Sequence, residues 1–204
     1  MIVYDLFAGT GSATRAFKEA GHTIVQIEFD EQFPADERDI LQLEANYLIE
    51  KYGAPDFIWA SPPCTTFSVA SCSTYWTKDG KPKNDKALNG IKLVEHTIRL
   101  IEQLNPAYGY LIENPRGMLR KQKIMQSLIR QTVTYCQYGE TRMKPTDLWG
   151  HVSNWVPRKH CKAGDACHDS APRGSQSGTQ GIKGARDRSK VPYELSKELL
   201  DAIA

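Results

Sequence analysis

The sequence predicts an α/β fold built on an open sheet, and three observations carry that expectation. A short apolar strand runs into a glycine turn and a helix, and a second strand follows at once. Two more apolar segments, at residues 57–60 and 108–112, read as buried strands, each preceded by a stretch of helical spacing. Residues able to do chemistry follow the ends of these strands, the edge on which open α/β sheets bind their ligands.

The first unit spans residues 1–28. Met1 to Phe7 is rich in β-branched and aromatic residues, as a buried strand is. Ala8-Gly9-Thr10-Gly11 turns the chain, and a helix with Ser12 as N-cap runs to Ala20, where Gly21 ends it. Thr23 to Ile27 is the second strand, with Glu28 at its tip. Glycines allow a ligand close to the backbone, and a carboxylate at a second strand tip can accept both hydroxyls of a ribose. Gly9-x-Gly11 lacks a third glycine, so packing alone would also account for it. Phe29 can cover a flat base.

Asp39-Ile40 predicts a short third strand, and residues 41–52 a helix ended by Gly53. Phe57 to Ala60 is the next strand. It stops at Ser61 because Pro62-Pro63 cannot extend a ladder, which leaves Cys64 on a stiff turn. A lone cysteine there is more often structural than reactive. Residues 65–89 read as a long polar loop, whose Lys78, Lys81, Lys83 and Lys86 suit phosphate contacts. A helix over 90–104 ends at Asn105-Pro106. The strand 108–112 leads to Glu113-Asn114-Pro115, which puts a carboxylate on the same edge as Cys64. A helix over 119–129, a strand over 132–138 and a hairpin partner over 142–149 follow.

Composition changes near Asn154. Residues 157–190 lack apolar periodicity, and helical spacing returns at 193–204. The expected organisation is a core at 1–150, a short basic insert at 151–187 and a helix at 188–204 that packs back on the core. The insert carries Arg158, Lys159, Lys162, Arg173, Lys183, Arg186 and Arg188, which fits contact with nucleic acid. It also holds His160, Cys161, Cys167 and His168. A flexible basic loop and a zinc staple are both open readings, although no Cys-x2-Cys pair is present. Cys72 and Cys136 read as ordinary.

The formal charge of the 204 residues is +2, from 26 basic and 24 acidic side chains, so any nucleic-acid binding must use a local patch. Mean hydropathy is -0.49. No apolar run reaches the roughly 18 residues that span a bilayer, and no basic leader precedes the first strand, so no membrane association is expected. Five cysteines without a disulfide spacing fit a reducing cytoplasm.

Four segments in this order resemble the cytosine-5 DNA methyltransferases: DLFAGTGSAT at 5–14, SPPCTTFS at 61–68, IENP at 112–115 and YGETRMKP at 138–145. VPYELSKELL at 191–200 is similar to that family's last motif. The resemblance covers residues 1–150 and 188–204. It implies a Rossmann-like S-adenosylmethionine-dependent methyltransferase fold with a small target-recognition insert. It also implies methylation of carbon 5 of cytosine in DNA, in a bacterial or phage-infected cell, where such an enzyme protects DNA from restriction. Cys64 would be the nucleophile and Glu113 the acid at N3. Asn114 would order the loop, and Arg142 would hold the base carbonyl. Asp5, Phe7, Gly9, Thr10, Gly11, Glu28, Phe29, Asp39 and Pro62 would meet the cofactor.

This sequence departs from the family where Pro62 replaces a Phe-like residue, Thr65 a Gln, and Glu140-Thr141 a Pro-Gln. The recognition region is far shorter than usual. An RNA substrate, an amino-group methyltransferase (whose strand end reads Asp/Ser-Pro-Pro-Tyr/Phe) and a non-catalytic binding module are the competing readings.

Overall fold

A computed structural model describes residues 1–170 and 184–204. Its first strand is β1 (Ile2–Leu6), which turns at residues 7–11 into α1 (Arg15–Glu19) and returns as β2 (Thr23–Ile27). α2 (Ala45–Tyr52) leads to β3 (Phe57–Ala60). α3 (Cys72–Tyr75) and α4 (Asp85–Leu104) lead to β4 (Gly109–Pro115). β5 (Arg130–Thr134) and β6 (Pro145–Val152) form the last pair of strands, and α5 (Ala185–Ser189) and α6 (Tyr193–Ile203) close the chain. The sheet order is β2-β1-β3-β4-β6-β5. β1 to β4 are parallel, while β6 runs antiparallel to both of its neighbours.

Alternation along β1 divides the core in two. Tyr4 and Leu6 join Ile58, Ala60 and Ile112 under α2 and α4. Val3 joins Phe57, Trp59 and Leu111 under Phe17 of α1 and Leu195, Leu199 and Ile203 of α6. Leu195 and Leu199 are fully buried, each contributing about 1.5–3 kcal/mol of apolar burial. The C-terminal helix thus packs back on the sheet. Two side chains also fasten it to the first turn: Val191 N donates to Ser12 Oγ at 3.0 Å, and Ala16 N donates to Ser196 Oγ at 3.1 Å. Ser12 is therefore not the cap of α1, whose N-terminal flank is Thr14.

Several expected elements differ. Asp39 does not close a third strand; it caps a 3-10 turn (Ile40–Gln42), and only a bridge from Ile27 to Glu37 pairs there. Residues 65–89 are not a structureless loop. Phe67 and Trp76 are buried and stacked at 5.6 Å, anchoring a 3-10 turn and α3, and α4 starts five residues ahead of the expected position, capped by the Asn84 side-chain oxygen, which accepts from Ala87 N at 3.1 Å. Residues 118–125 form two 3-10 turns where a helix over 119–129 was expected. The strand over 132–138 ends at Thr134 and becomes a 3-10 turn at Tyr135–Tyr138. In the last two cases short apolar runs without long periodicity were read as longer elements. No helix among the described residues is long and apolar enough to cross a membrane.

Candidate active site

The strand ends meet at one open cavity of about 1270 Å³. The β1 turn forms one wall. Phe7, at φ 63°, holds a left-handed backbone that a bulky residue adopts at a cost, and its side chain lines the cavity. Gly9 and Gly11 follow at φ 49° and 67°. A Cβ on Gly11 would come within 2.9 Å of Gln26 Nε2. Glu28 is held from both sides: Gly9 N donates to Oε2 at 2.8 Å and Asp30 N to Oε1 at 2.9 Å. Phe29 is 72% exposed at the rim. Thr10 and Asp39 also line the wall; Asp39 accepts from Leu41 N and Gln42 Nε2. Asp5 is buried beneath the turn. Burial, and secondarily the Glu28 charge, raises its pKa to about 7, although Thr14 Oγ1 donates to it at 2.7 Å.

The opposite wall starts from Pro62 and Cys64. The Cys64 carbonyl accepts from Phe67 N and Ser68 N, which makes a tight turn. Asn114 Nδ2 donates to Pro62 O at 2.9 Å, so the fully buried Asn114 pins the proline pair from the neighbouring strand. Met118 N donates to Phe67 O at 2.7 Å. That contact requires a glycine before it, because a Cβ on Gly117 would lie 2.2 Å from the same oxygen. The Cys64 loop is thus clamped from β4 at two points.

Glu113 is buried beside Cys64 in the last part of β4 rather than beyond its tip. Tyr135 Oη donates to it at 3.3 Å, and the Ser61 hydroxyl, itself bonded by Trp59 Nε1 at 2.7 Å, is a second partner. Burial raises the Glu113 carboxyl above its ordinary range, while the Lys144 charge pulls the other way. Burial and then the Glu113 charge push the Cys64 thiol up; Lys144 and Arg188 oppose them.

Lys144 is the residue that sequence reasoning missed. It lines the cavity, nine-tenths buried, with its ammonium 4.3 Å from the Tyr135 ring centroid and bonded to Lys190 O at 3.3 Å. Burial lowers its pKa, and Glu113 and Cys64 hold it up. The structure does not bring Arg142 into this cavity. Arg142 turns to the insert, donating to Asp169 O at 3.2 Å and pairing with its carboxylate at 3.5 Å. Lys144 sits at φ 32° just ahead of β6, so no regular periodicity marked it in the sequence. Arg116 and Arg188 also reach the cavity.

The basic segments divide. Lys78, Lys81 and Lys86 are exposed, whereas Lys83 Nζ donates to Ser73 O at 2.7 Å. Arg158 is committed to Glu194 and Glu198 of α6. Arg173 and Lys183 lie outside the described residues. Of the four candidate zinc ligands named from sequence beside a flexible-loop reading, Cys161, Cys167 and His168 converge, while His160 is exposed and apart from them; the fourth member is Cys136, read from sequence as ordinary.

Comparison with known proteins agrees with this geometry. The model of the family described as C-5 cytosine-specific DNA methylase matches residues 1–138. The chain is 30% identical over 221 residues to a probable DNA (cytosine-5)-methyltransferase of Frog virus 3 (isolate Goorha), spanning 98% of this chain and 99% of that protein. It is 29% identical over 133 residues to the type II methyltransferase M.HgiGI of Herpetosiphon aurantiacus, covering 59% of this chain and 96% of that one. Among solved structures, the Entamoeba histolytica methyltransferase EhMeth superposes with TM-score 0.56 at 14% identity, over 79% of this chain and 57% of that one. That likeness supports the Rossmann-like methyltransferase fold, and this chain spans little more than half of that structure's length.

Proposed function

The chain belongs to the C-5 cytosine-specific DNA methylase family, and from that premise we propose that Cys64, Glu113 and Lys144 carry out S-adenosylmethionine-dependent methylation of carbon 5 of cytosine in DNA. The observation that carries the assignment is the convergence of these three side chains on the cavity that also holds the Gly9–Gly11 turn.

The residues present fit the cofactor. The turn has no Cβ at Gly9 and Gly11, Glu28 is already fixed by backbone donors, and the exposed Phe29 offers an aromatic face. Glu28 would take the ribose hydroxyls, Phe29 the adenine, and the backbone of residues 9–11 the amino-acid end. When bound, S-adenosylmethionine supplies an electrophilic methyl group.

Carbon 5 of cytosine is a poor nucleophile, and the chain's residues make it a better one. The Cys64 thiolate adds to carbon 6 while Glu113 gives its proton to N3, which leaves an enamine with electron density on carbon 5. Keeping Glu113 protonated has a second effect: it removes the negative charge that, after burial, most opposes the Cys64 thiolate. Lys144 faces both groups and stabilises negative charge on the thiolate and on the base carbonyl. Asn114 acts through Pro62 as a positioning residue. After the methyl is in place, loss of the carbon 5 proton to solvent, expulsion of the thiolate and return of the N3 proton to Glu113 restore the aromatic ring and the starting enzyme. The target carbon is out of reach inside a duplex, so the base must leave the stack to enter the cavity. The exposed Lys78, Lys81 and Lys86 are positioned along the chain after Cys64 to meet phosphates.

The test is a covalent trap. DNA containing 5-fluorocytosine, incubated with the protein and labelled S-adenosylmethionine, should give an adduct that survives denaturation, because fluorine blocks the final elimination. Cys64→Ser should give none. An adduct that persists in that variant removes Cys64 as the nucleophile; methyl transfer without any adduct favours amino-group chemistry; a trap with RNA but not DNA assigns the other nucleic acid.

A further inference from the structure

We propose that Cys136, Cys161, Cys167 and His168 bind a structural zinc ion that staples the basic insert to the turn following β5. The four ligand atoms lie within 4.8 Å of one another. Cys136 Sγ is 3.2 Å from Cys161 Sγ and 3.7 Å from Cys167 Sγ, and His168 Nδ1 is 3.4 Å from Cys167 Sγ and 3.7 Å from Cys161 Sγ. Zinc–sulfur bonds of about 2.3 Å set tetrahedrally place neighbouring ligand atoms about 3.5–3.8 Å apart. These distances are close to the edges of that tetrahedron and far from the roughly 2.05 Å of a disulfide. Three thiols also cannot all pair with one another, whereas three thiolates and an imidazole complete a closed zinc shell.

The local chain is built for a staple. Residues 157–170 contain no helix or strand, and Cys161 is their one buried residue. Its amide donates to Thr134 Oγ1 at 3.1 Å. Lys162 N donates to the Asp165 carboxylate at 2.7 Å and Asp165 N returns to Lys162 O at 3.1 Å, a turn that brings Cys167 back towards Cys161. An irregular segment with so little apolar burial gains order by closing on a metal. Binding releases the three thiol protons to solvent and leaves a site of net charge −1.

The cluster sits two connections from the catalytic groups. Cys136 follows Tyr135, which donates to Glu113. Asp169 follows His168; its amide donates to Thr141 O at 2.9 Å, and its carbonyl accepts from Arg142. Residues 141–142 begin the approach to Lys144. A loaded site therefore holds the turn that presents Lys144, and Arg142 acts as a strut between the insert and that turn.

Metal analysis of the purified chain tests this without any assay of methylation. Zinc should co-purify at close to equimolar ratio. Cobalt added to the stripped protein should give the thiolate charge-transfer band and the intense visible bands of a tetrahedral site. Cys167→Ser and His168→Ala, at positions that are not in the core, should lose most of the zinc with the far-ultraviolet circular dichroism kept. His160→Ala should retain it. Chelation should open residues 157–170 to limited proteolysis. A chain free of metal that shows no cobalt bands, a disulfide among the three cysteines, iron in place of zinc, or loss of zinc in His160→Ala but not in His168→Ala each overturns the proposal.

Discussion

The two sides of the sheet are built differently. On the β1–β2 side, all the groups proposed to meet the cofactor except Pro62 lie on one run of chain, Asp5 to Asp39, and local turns hold it. On the β4–β6 side, the proposed catalytic groups come from three distant segments, and they meet only because Asn114, Gly117, Tyr135 and the β6 hairpin reach across the sheet. The first side is local geometry with strain stored in the backbone. The second is a network of long-range polar contacts around buried charge. Mutations should therefore act locally on the first side and propagate on the second.

The largest separation should come within one turn. Lys144→Ala should lower the rate of methyl transfer by about 10²–10³-fold, the usual loss on removing one charge-stabilising donor. Arg142→Ala should cost only a few-fold, because Arg142 meets Asp169 outside the cavity. Single-turnover rates on the two variants decide this. Equal losses would place Arg142 in the cavity during the reaction.

Next comes the support of the hairpin. Asp147 is fully buried and accepts from Arg120 Nε at 2.8 Å and from Thr132 Oγ1 at 2.7 Å. Arg120→Ala leaves that charge without its cation, at about 3–5 kcal/mol. The expected readout is a large drop in the denaturant midpoint, with a double variant Arg120→Ala/Asp147→Asn recovering part of it. No recovery would mean that the pair is not the cause.

Gly11→Ala should act on the other side alone. A non-glycine residue in left-handed backbone costs about 1–2 kcal/mol, and the added Cβ would press on Gln26. Isothermal titration should show S-adenosylmethionine binding weakened by about tenfold while the fluorocytosine adduct still forms at saturating cofactor. Loss of the adduct at saturation would show that the two sides are not separable.

The smallest effect concerns pH. Asp5 keeps its proton up to about pH 7 in the folded chain, above its ordinary value. A buried carboxyl of this kind favours the folded state most at low pH, and that contribution fades as pH rises from about 4 through 7. Asp5→Asn removes the titration, so its melting temperature should vary less over this window than that of the wild type. Glu113 contributes with the same sign and leaves a residual slope. Parallel melting curves for the two proteins would refute this assignment.

The same contrast explains what could be read in the sequence. The β1 turn, Glu28 and the strand into Pro62-Pro63-Cys64 are contiguous, so periodicity and turn chemistry exposed them. Glu113 and Asn114 were visible because they end a clear apolar strand. Lys144 was not, since nothing local separates it from Arg142; burial against Tyr135 decides between them. Cys136 was missed for a similar reason: its partners are 25 and 31 residues away, and no spacing rule joins them. Residues 118–129 misled because the 3-10 turns bury Met118, Gln122 and Met125 at the intervals of a helix face.

The bonds from Val191 to Ser12 and from Ala16 to Ser196 join positions 179 and 180 residues apart. The turn is thus fastened by residues that the ribosome adds long after it. While a chain is still being synthesised, its cofactor loop lacks that fastening, and the apolar face of α1 lacks Leu195 and Leu199. The proposed methyl-donor site therefore waits on residues 191–199. A truncation directly after residue 190 should weaken cofactor binding while Cys64, Glu113 and Lys144 all remain in the chain.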